Sequence, residues 1–200
     1  MRPASHTSGL QPPGSRFLSD PVPGDHLLQV YRDECQLVDA VALFSAAGLR
    51  GGDAVVLVPT PPHVEAVTRR LVGAGFDVDA ARRWGQLTVI DAATLLSRFM
   101  RNGLPNKDAF DAIVGETLDK ARAAARRRGV RVFGEMVDLL WRQDLEATEH
   151  LEQLWNATIA ARPISLLCSY RLEPEAHAAA SFPHSLRQAH SLHMPLEARA

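Results

Sequence analysis

Five short stretches of this chain hold the side chains that could do chemistry. They are Tyr31-Arg32-Asp33-Glu34-Cys35, Pro59-Thr60-Pro61-Pro62-His63, Asp91–Thr94, Gly134-Glu135-Met136 and Ser169-Tyr170-Arg171. Asp33 and Glu34 could form a polar floor for a neutral or cationic ligand, and Asp33 is equally an N-cap. Arg32 could answer an acid across a cleft. Cys35, one turn into a helix, could carry a depressed thiol pKa or be a small packed hydrophobe. His63 could titrate near neutrality. Glu135 follows an apolar run and a glycine. Beside Asp33 its carboxyl would need a cation, or would bind the backbone amides of the next turn. Tyr31, Met136, Trp141 and Tyr170 could wall an apolar pocket or simply pack.

These stretches all sit just after β-like runs. His26–Tyr31 precedes Asp33, whose partner Gln36 three residues on makes a box-like helix start, and Gly48 closes the apolar stripe of Leu37, Val41 and Phe44. Ala54–Val58 is a continuous apolar run of the kind covered on both faces of a parallel sheet. Thr60 with Pro61 opens a helix striped by Val64, Val67 and Leu71. Strands follow at 87–90, 130–133 and 164–170, separated by helices at 91–100, 108–128 and 145–161. The alternation predicts an α/β three-layer sandwich with a five-stranded, mainly parallel sheet. In such sheets ligands bind at the carboxyl ends of the strands, where the five stretches lie. His26, at the opposite end of its strand, is expected to be structural. So is Cys168, inside the last strand.

Composition bounds the rest. The 200 residues are 46% hydrophobic and 22% charged with a formal net charge of −1, which favours neither nucleic acid nor an anionic membrane. No apolar run is long enough to span a bilayer. Two well-separated cysteines predict no disulfide framework and a cytoplasmic setting. Residues 1–24, rich in Pro, Ser and Gly, predict a disordered arm, 25–172 the ordered domain and 173–200 a C-terminal extension. Lys120, Arg122, Arg126, Arg127, Arg128 and Arg131 read as a solvated basic face. His177, His184, His190 and His193 cluster in the extension. His190 and His193 could share a helix face, but no Cys or placed carboxylate completes a metal set, so no metal is expected.

The junction after the first strand is informative for what it lacks. It has no glycine, no Lys and two acids, where phosphate-binding loops place Gly-rich backbone ending in Lys-Ser/Thr. Residues 37–91 nevertheless follow the rhythm of KaiC/RecA-like ATPase cores through Gly48-Leu49, Gly51-Gly52-Asp53, Gly75-Phe76-Asp77 and Trp84-Gly85-Gln86-Leu87. With His26–Tyr31, Gly134-Glu135-Met136, Glu152, Asn156 and Leu167-Cys168-Ser169-Tyr170, the chain over about 25–172 resembles the MEDS sensory domain (methanogens, methylotrophs, DcmR). The resemblance implies a KaiC-like fold with a degenerate phosphate loop. It also implies the RecA-like strand order 5-1-4-3-2, which puts Glu135 near Tyr31–Asp33. KaiC-like ATPases carry water-activating glutamates just after strand two, where this chain has Thr60-Pro61-Pro62-His63. Glu65 is displaced into the helix, so phosphoryl transfer loses positioning and charge neutralisation.

The resulting expectation is a non-catalytic sensory domain. It binds a small organic ligand through Tyr31, Arg32, Asp33, Cys35, Thr60, His63, Glu135, Met136 and Tyr170, without cofactor. It relays to a partner signalling or regulatory protein, with no direct contact to nucleic acid or membrane and with a homodimer allowed. The alternatives are an interaction module with a vestigial cleft and a residual nucleotide-binding, ATPase-like protein.

Overall fold

The computed structural model describes residues 15–125, 129–172 and 182–194. The sheet is built from β1 (His26–Tyr31), β2 (Ala54–Val58), β3 (Leu87–Val89), β6 (Val130–Gly134), β7 (Ile164–Arg171) and β8 (Leu192–His193). All neighbours are parallel, in the order β3-β2-β6-β7-β1-β8. Two residues each of β4 (Met100–Arg101) and β5 (Leu104–Pro105) form a separate hairpin. Its turn residues Asn102 (φ 51°) and Gly103 (φ 85°) are both left-handed, as a two-residue hairpin turn demands.

The four inner strands, β2, β6, β7 and β1, are buried on both faces, and their alternation divides the core. Ala54, Val56, Val130, Val132, Leu166, Cys168 and Tyr170 face one way. They pack under α5 (Ala92–Phe99), α6 (Lys107–Ala124), α7 (Met136–Trp141) and α8 (Leu145–Ala161). Val55, Leu57, Phe133 and Leu167 face the other way. They meet α1 (Ser15–Ser19), α2 (Glu34–Gly51), α3 (Pro61–Gly73) and α4 (Val78–Arg83).

The parallel α/β sandwich is as expected; the strand order is not. The first strand borders the fifth, as expected, but not the fourth; the fifth is internal instead of an edge, and the third is the edge in place of the second. Burial explains this. The third strand has three residues, two of them half-exposed, which suits an edge. The fifth has seven buried residues out of eight and needs a neighbour on each side.

A sixth strand comes from the expected extension. β8 pairs with β1, placing Leu192 opposite Leu27. Before it, α9 (His184–Gln188) buries Leu186 against α8. His190 and His193 therefore do not share a helix, and His177 lies outside the described residues.

Three other expectations need correction. From residue 15 the arm is ordered: α1 buries Leu18, because Arg131 reaches its C-terminal carbonyls. Arg131 is not on a solvated face. It is buried, pairs with Asp53 at 2.8 Å, and donates to the carbonyls of Leu18 (3.1 Å), Ser19 (3.2 Å) and Phe44 (3.3 Å). Arg126, Arg127 and Arg128 lie outside the described residues. Finally, α2 does not end at Gly48. It ends at Gly51, with Gly52 (φ 84°) as the left-handed cap. Gly48 is needed inside the helix, because a Cβ there would stand 2.6 Å from Arg131 Cδ.

Candidate functional site

The carboxyl ends of β1, β2, β6 and β7 open into a cavity of about 680 Å³. Tyr31 ends β1, Thr60 follows β2, Glu135 follows β6 and Arg171 ends β7. The first turns of α2 add Glu34, Cys35 and Val38. α3 adds Pro62, His63, Ala66, Arg69 and Arg70, and α7 adds Asp138.

His63 is the centre of the polar lining. Its Nδ1 donates to Glu135 Oε1 at 2.6 Å, and its Nε2 donates to Glu34 Oε2 in a short contact. Glu34 Oε1 receives Arg171 Nη1 at 2.9 Å. Four charges thus alternate along Arg171–Glu34–His63–Glu135 and tie four elements together. The hydrogen bond His63 donates to Glu135 raises its pKa to about 9 against the effect of burial, with further support from Glu34. The ring is an imidazolium at neutral pH, with both N–H groups engaged.

Glu135 is 1% exposed. Its other oxygen accepts from Thr60 N at 2.6 Å and Thr60 Oγ1 at 3.3 Å. Thr60 occupies the N-cap of α3, but its hydroxyl serves Glu135 and makes no cap bond. Asp138 Oδ1 accepts from Arg171 N at 2.7 Å and Trp141 Nε1 at 2.9 Å, and burial raises its pKa. Burial, with Asp138, Glu135 and Glu34 nearby, pushes the Tyr31 phenol up, so it remains a protonated donor. Tyr31, Val38, Pro62 and Ala66 supply the apolar wall.

Of the residues expected at a site, Tyr31, Cys35, Thr60, His63 and Glu135 line the cavity. Arg32, Asp33, Met136 and Tyr170 do not. Asp33 is a cap, accepting from Cys35 N at 2.9 Å. Arg32 is half-buried outside the lining. Met136 and Tyr170 are fully buried beneath the opposite face of the sheet. Tyr170 fails by one residue: side chains alternate across a strand, so Arg171 faces the cavity and Tyr170 faces away. Glu34, weighed with Asp33 as a polar floor, does line the cavity, and Arg69, Arg70, Asp138 and Arg171 are lining residues that were not expected to touch a ligand. The alternation of β7, with Cys168 and Tyr170 on one face, was the signal that could have found Arg171. The acid expected to need a cation found His63, and Glu65 stands outside on α3, paired with Arg69 at 2.6 Å.

A second polar cluster lies under the other face. His26, Glu152, Cys168 and His190 are all buried. His26 Nε2 is 3.3 Å from Glu152 Oε2 and 3.4 Å from Cys168 Sγ, and His190 Nε2 is 3.4 Å from Glu152 Oε1. The Tyr170 hydroxyl donates to Glu152 Oε1 in a short contact. Burial lowers the His26 pKa to about 4, despite Glu152. Burial also raises the Cys168 thiol well above its usual value. Both cysteines are free: Cys35 is exposed at the cavity and Cys168 is buried in this cluster.

The family profile described as MEthanogen/methylotroph, DcmR Sensory domain (MEDS) matches residues 25–193. No curated protein matches the chain. Among solved structures, a KaiC-like protein from the hyperthermophilic archaeon Pyrococcus horikoshii OT3 is similar in fold, with a TM-score of 0.54 and 12% identity. The match covers 76% of this chain and 63% of that one, so the chain spans under two thirds of that protein. The family match runs through β8, past the expected domain end at residue 172.

Proposed function

This chain belongs to the MEDS sensory-domain family, and from that premise we propose that it senses a small organic molecule in the cavity at the strand ends. The reading is of a non-catalytic, cytoplasmic domain that passes the bound state to a partner signalling or regulatory protein. The observation that carries it is the Arg171–Glu34–His63–Glu135 chain beside an apolar wall. The cavity volume falls in the range of small-molecule sites, and its lining is of their mixed kind. The ligand has an apolar body against Tyr31, Val38, Pro62 and Ala66, and one hydrogen-bonding group toward His63 or the Tyr31 phenol. A ligand that competes for Glu34 or His63 prefers one arrangement of α2 and α3 over another, and that preference is the readout.

Phosphate chemistry is disfavoured where the loop would stand. Asp33 caps α2, and Glu34 occupies its first turn. A phosphate there would meet a carboxylate instead of a lysine.

Thermal shift with millimolar short-chain alcohols, ketones and carboxylates tests the reading, with ATP·Mg²⁺ in the same panel. At least one organic compound should raise the melting temperature, and Tyr31→Ala should lose that shift. A shift from ATP·Mg²⁺ alone, abolished in Glu135→Gln, would replace this reading with a nucleotide binder. No shift from any compound, together with a bare mass by native mass spectrometry, would replace it with an interaction module.

A further inference from the structure

We propose that His26, Glu152, Cys168 and His190 form a binding site for a tetrahedral transition-metal ion of the Zn²⁺ class, and that the ion fastens the C-terminal segment to the sheet. One ligand atom from each residue lies within 4.8 Å of all the others. A tetrahedral zinc ion with N, O and S ligands has edges of about 3.3–3.6 Å. Three of the contacts here measure 3.3, 3.4 and 3.9 Å: His26 Nε2 to Glu152 Oε2, His26 Nε2 to Cys168 Sγ, and Cys168 Sγ to Glu152 Oε2. Two imidazoles, a thiol and a carboxylate suit zinc or cobalt rather than magnesium or calcium.

The outer contacts point the same way. His26 Nδ1 lies 2.9 Å from Asn156 Oδ1 and 3.1 Å from the Ala189 carbonyl, both acceptors. His190 Nδ1 lies 2.7 Å from the Leu186 carbonyl. Each Nδ1 therefore carries the hydrogen, and each Nε2 turns a lone pair toward Glu152 and Cys168. Acceptor lone pairs then face carboxylate oxygens in the buried interior, and His190 Nε2 is buried without a hydrogen bond. A cation at the common centre satisfies all of them. A ring fixed through its second nitrogen is the usual support of a metal-bound histidine.

The assembly also has an approach. A cavity of about 270 Å³ between α8 and α9 is lined by Glu149, Glu152, Asn156, Leu186 and Ala189. Of the four ligands, His190 alone comes from residues 182–194. Loading the ion and docking that segment are thus one equilibrium. Binding expels the Cys168 proton to solvent as the thiolate coordinates.

The test uses Co²⁺ with the full chain, untagged and carrying Cys35→Ser so that one thiol remains. About one equivalent should develop tetrahedral ligand-field absorption with a thiolate-to-cobalt charge-transfer band, and excess Zn²⁺ should bleach both. Cys168→Ser should lose the charge-transfer band. Asn156→Ala, which spares all four ligands, should weaken Co²⁺ by about 10–100-fold. Amide exchange over 184–193 should slow when Zn²⁺ is bound. Glu135→Gln should leave the spectrum unchanged, which separates this site from the sensory cavity. The proposal is overturned if the folded Cys35→Ser protein gives no absorption with excess Co²⁺. It is equally overturned if the full spectrum survives Cys168→Ser, or if Glu135→Gln removes it.

Discussion

Two histidines of this protein each stand against a carboxylate, and their basicities move in opposite directions. His63 sits between Glu135 and Glu34 at the mouth of a cavity, and its pKa rises to about 9. His26 shares Glu152 with His190 deep in the core, and its pKa falls to about 4. The residue types match; the ratio of anions to imidazoles and the access to water do not. Two carboxylates around one ring favour the cation. One carboxylate divided between two rings cannot offset the cost of burying a charge on the His26 ring. The first arrangement makes a charged, responsive lining. The second leaves His26 a neutral imidazole in the core.

The sharpest way to break the comparison is to remove the shared anion. Glu152→Ala leaves His26, His190 and the Tyr170 hydroxyl facing an empty buried site. It should cost about 3–5 kcal/mol by urea unfolding in the presence of chelator, because the buried Tyr170 hydroxyl loses its acceptor and a cavity opens in the core. A cost near zero would mean that the cluster is not the buried network described here.

A smaller effect comes from pH. The folded protein holds a proton on His63 that the unfolded chain, with an ordinary histidine pKa near 6.5, gives up first. The stabilisation from His63 is therefore complete below about pH 6.5 and is lost as pH rises through about 9. Its size is about 1–3 kcal/mol, the usual worth of charge-assisted hydrogen bonds. Unfolding titrations should show wild type losing its advantage over His63→Asn as pH rises across that window, with no His63 step in the variant. In metal-free protein, NMR titration should place the His26 ring below 6.5 and the His63 ring above it. Matching values would erase the distinction.

Asp33→Ala should have the smallest effect, about 1 kcal/mol for a lost cap. It should leave ligand shifts at the cavity intact, because Asp33 lies outside the lining. A loss of ligand response in that variant would move the site boundary toward the helix start.

The two sites were not equally legible before folding. Tyr31, Cys35, Thr60, His63 and Glu135 could be found because strand ends and caps are marked locally, and parallel topology gathers the carboxyl ends of strands on one side. Arg171 was missed and Tyr170 preferred, since near a strand end a one-residue uncertainty exchanges the faces of the sheet. The buried cluster left no such mark. His26 and Cys168 are 142 residues apart, and each reads as ordinary core. Counting only the histidines of the C-terminal segment leaves the metal set incomplete, because His26, Glu152 and Cys168 lie far away in the sequence.

By itself, then, the sequence determined the elements, the parallel α/β class and the absence of a phosphate loop. Capping, hydrophobic period and the residue types at one junction act within a few residues and need no partner. Tertiary structure decided the strand order, the sixth strand, the burial of Arg131 and the meeting of His26, Glu152, Cys168 and His190. Those depend on which long-range pairing buries the most surface while satisfying every polar group enclosed. That choice belongs to the whole chain at once, so no local window displays it.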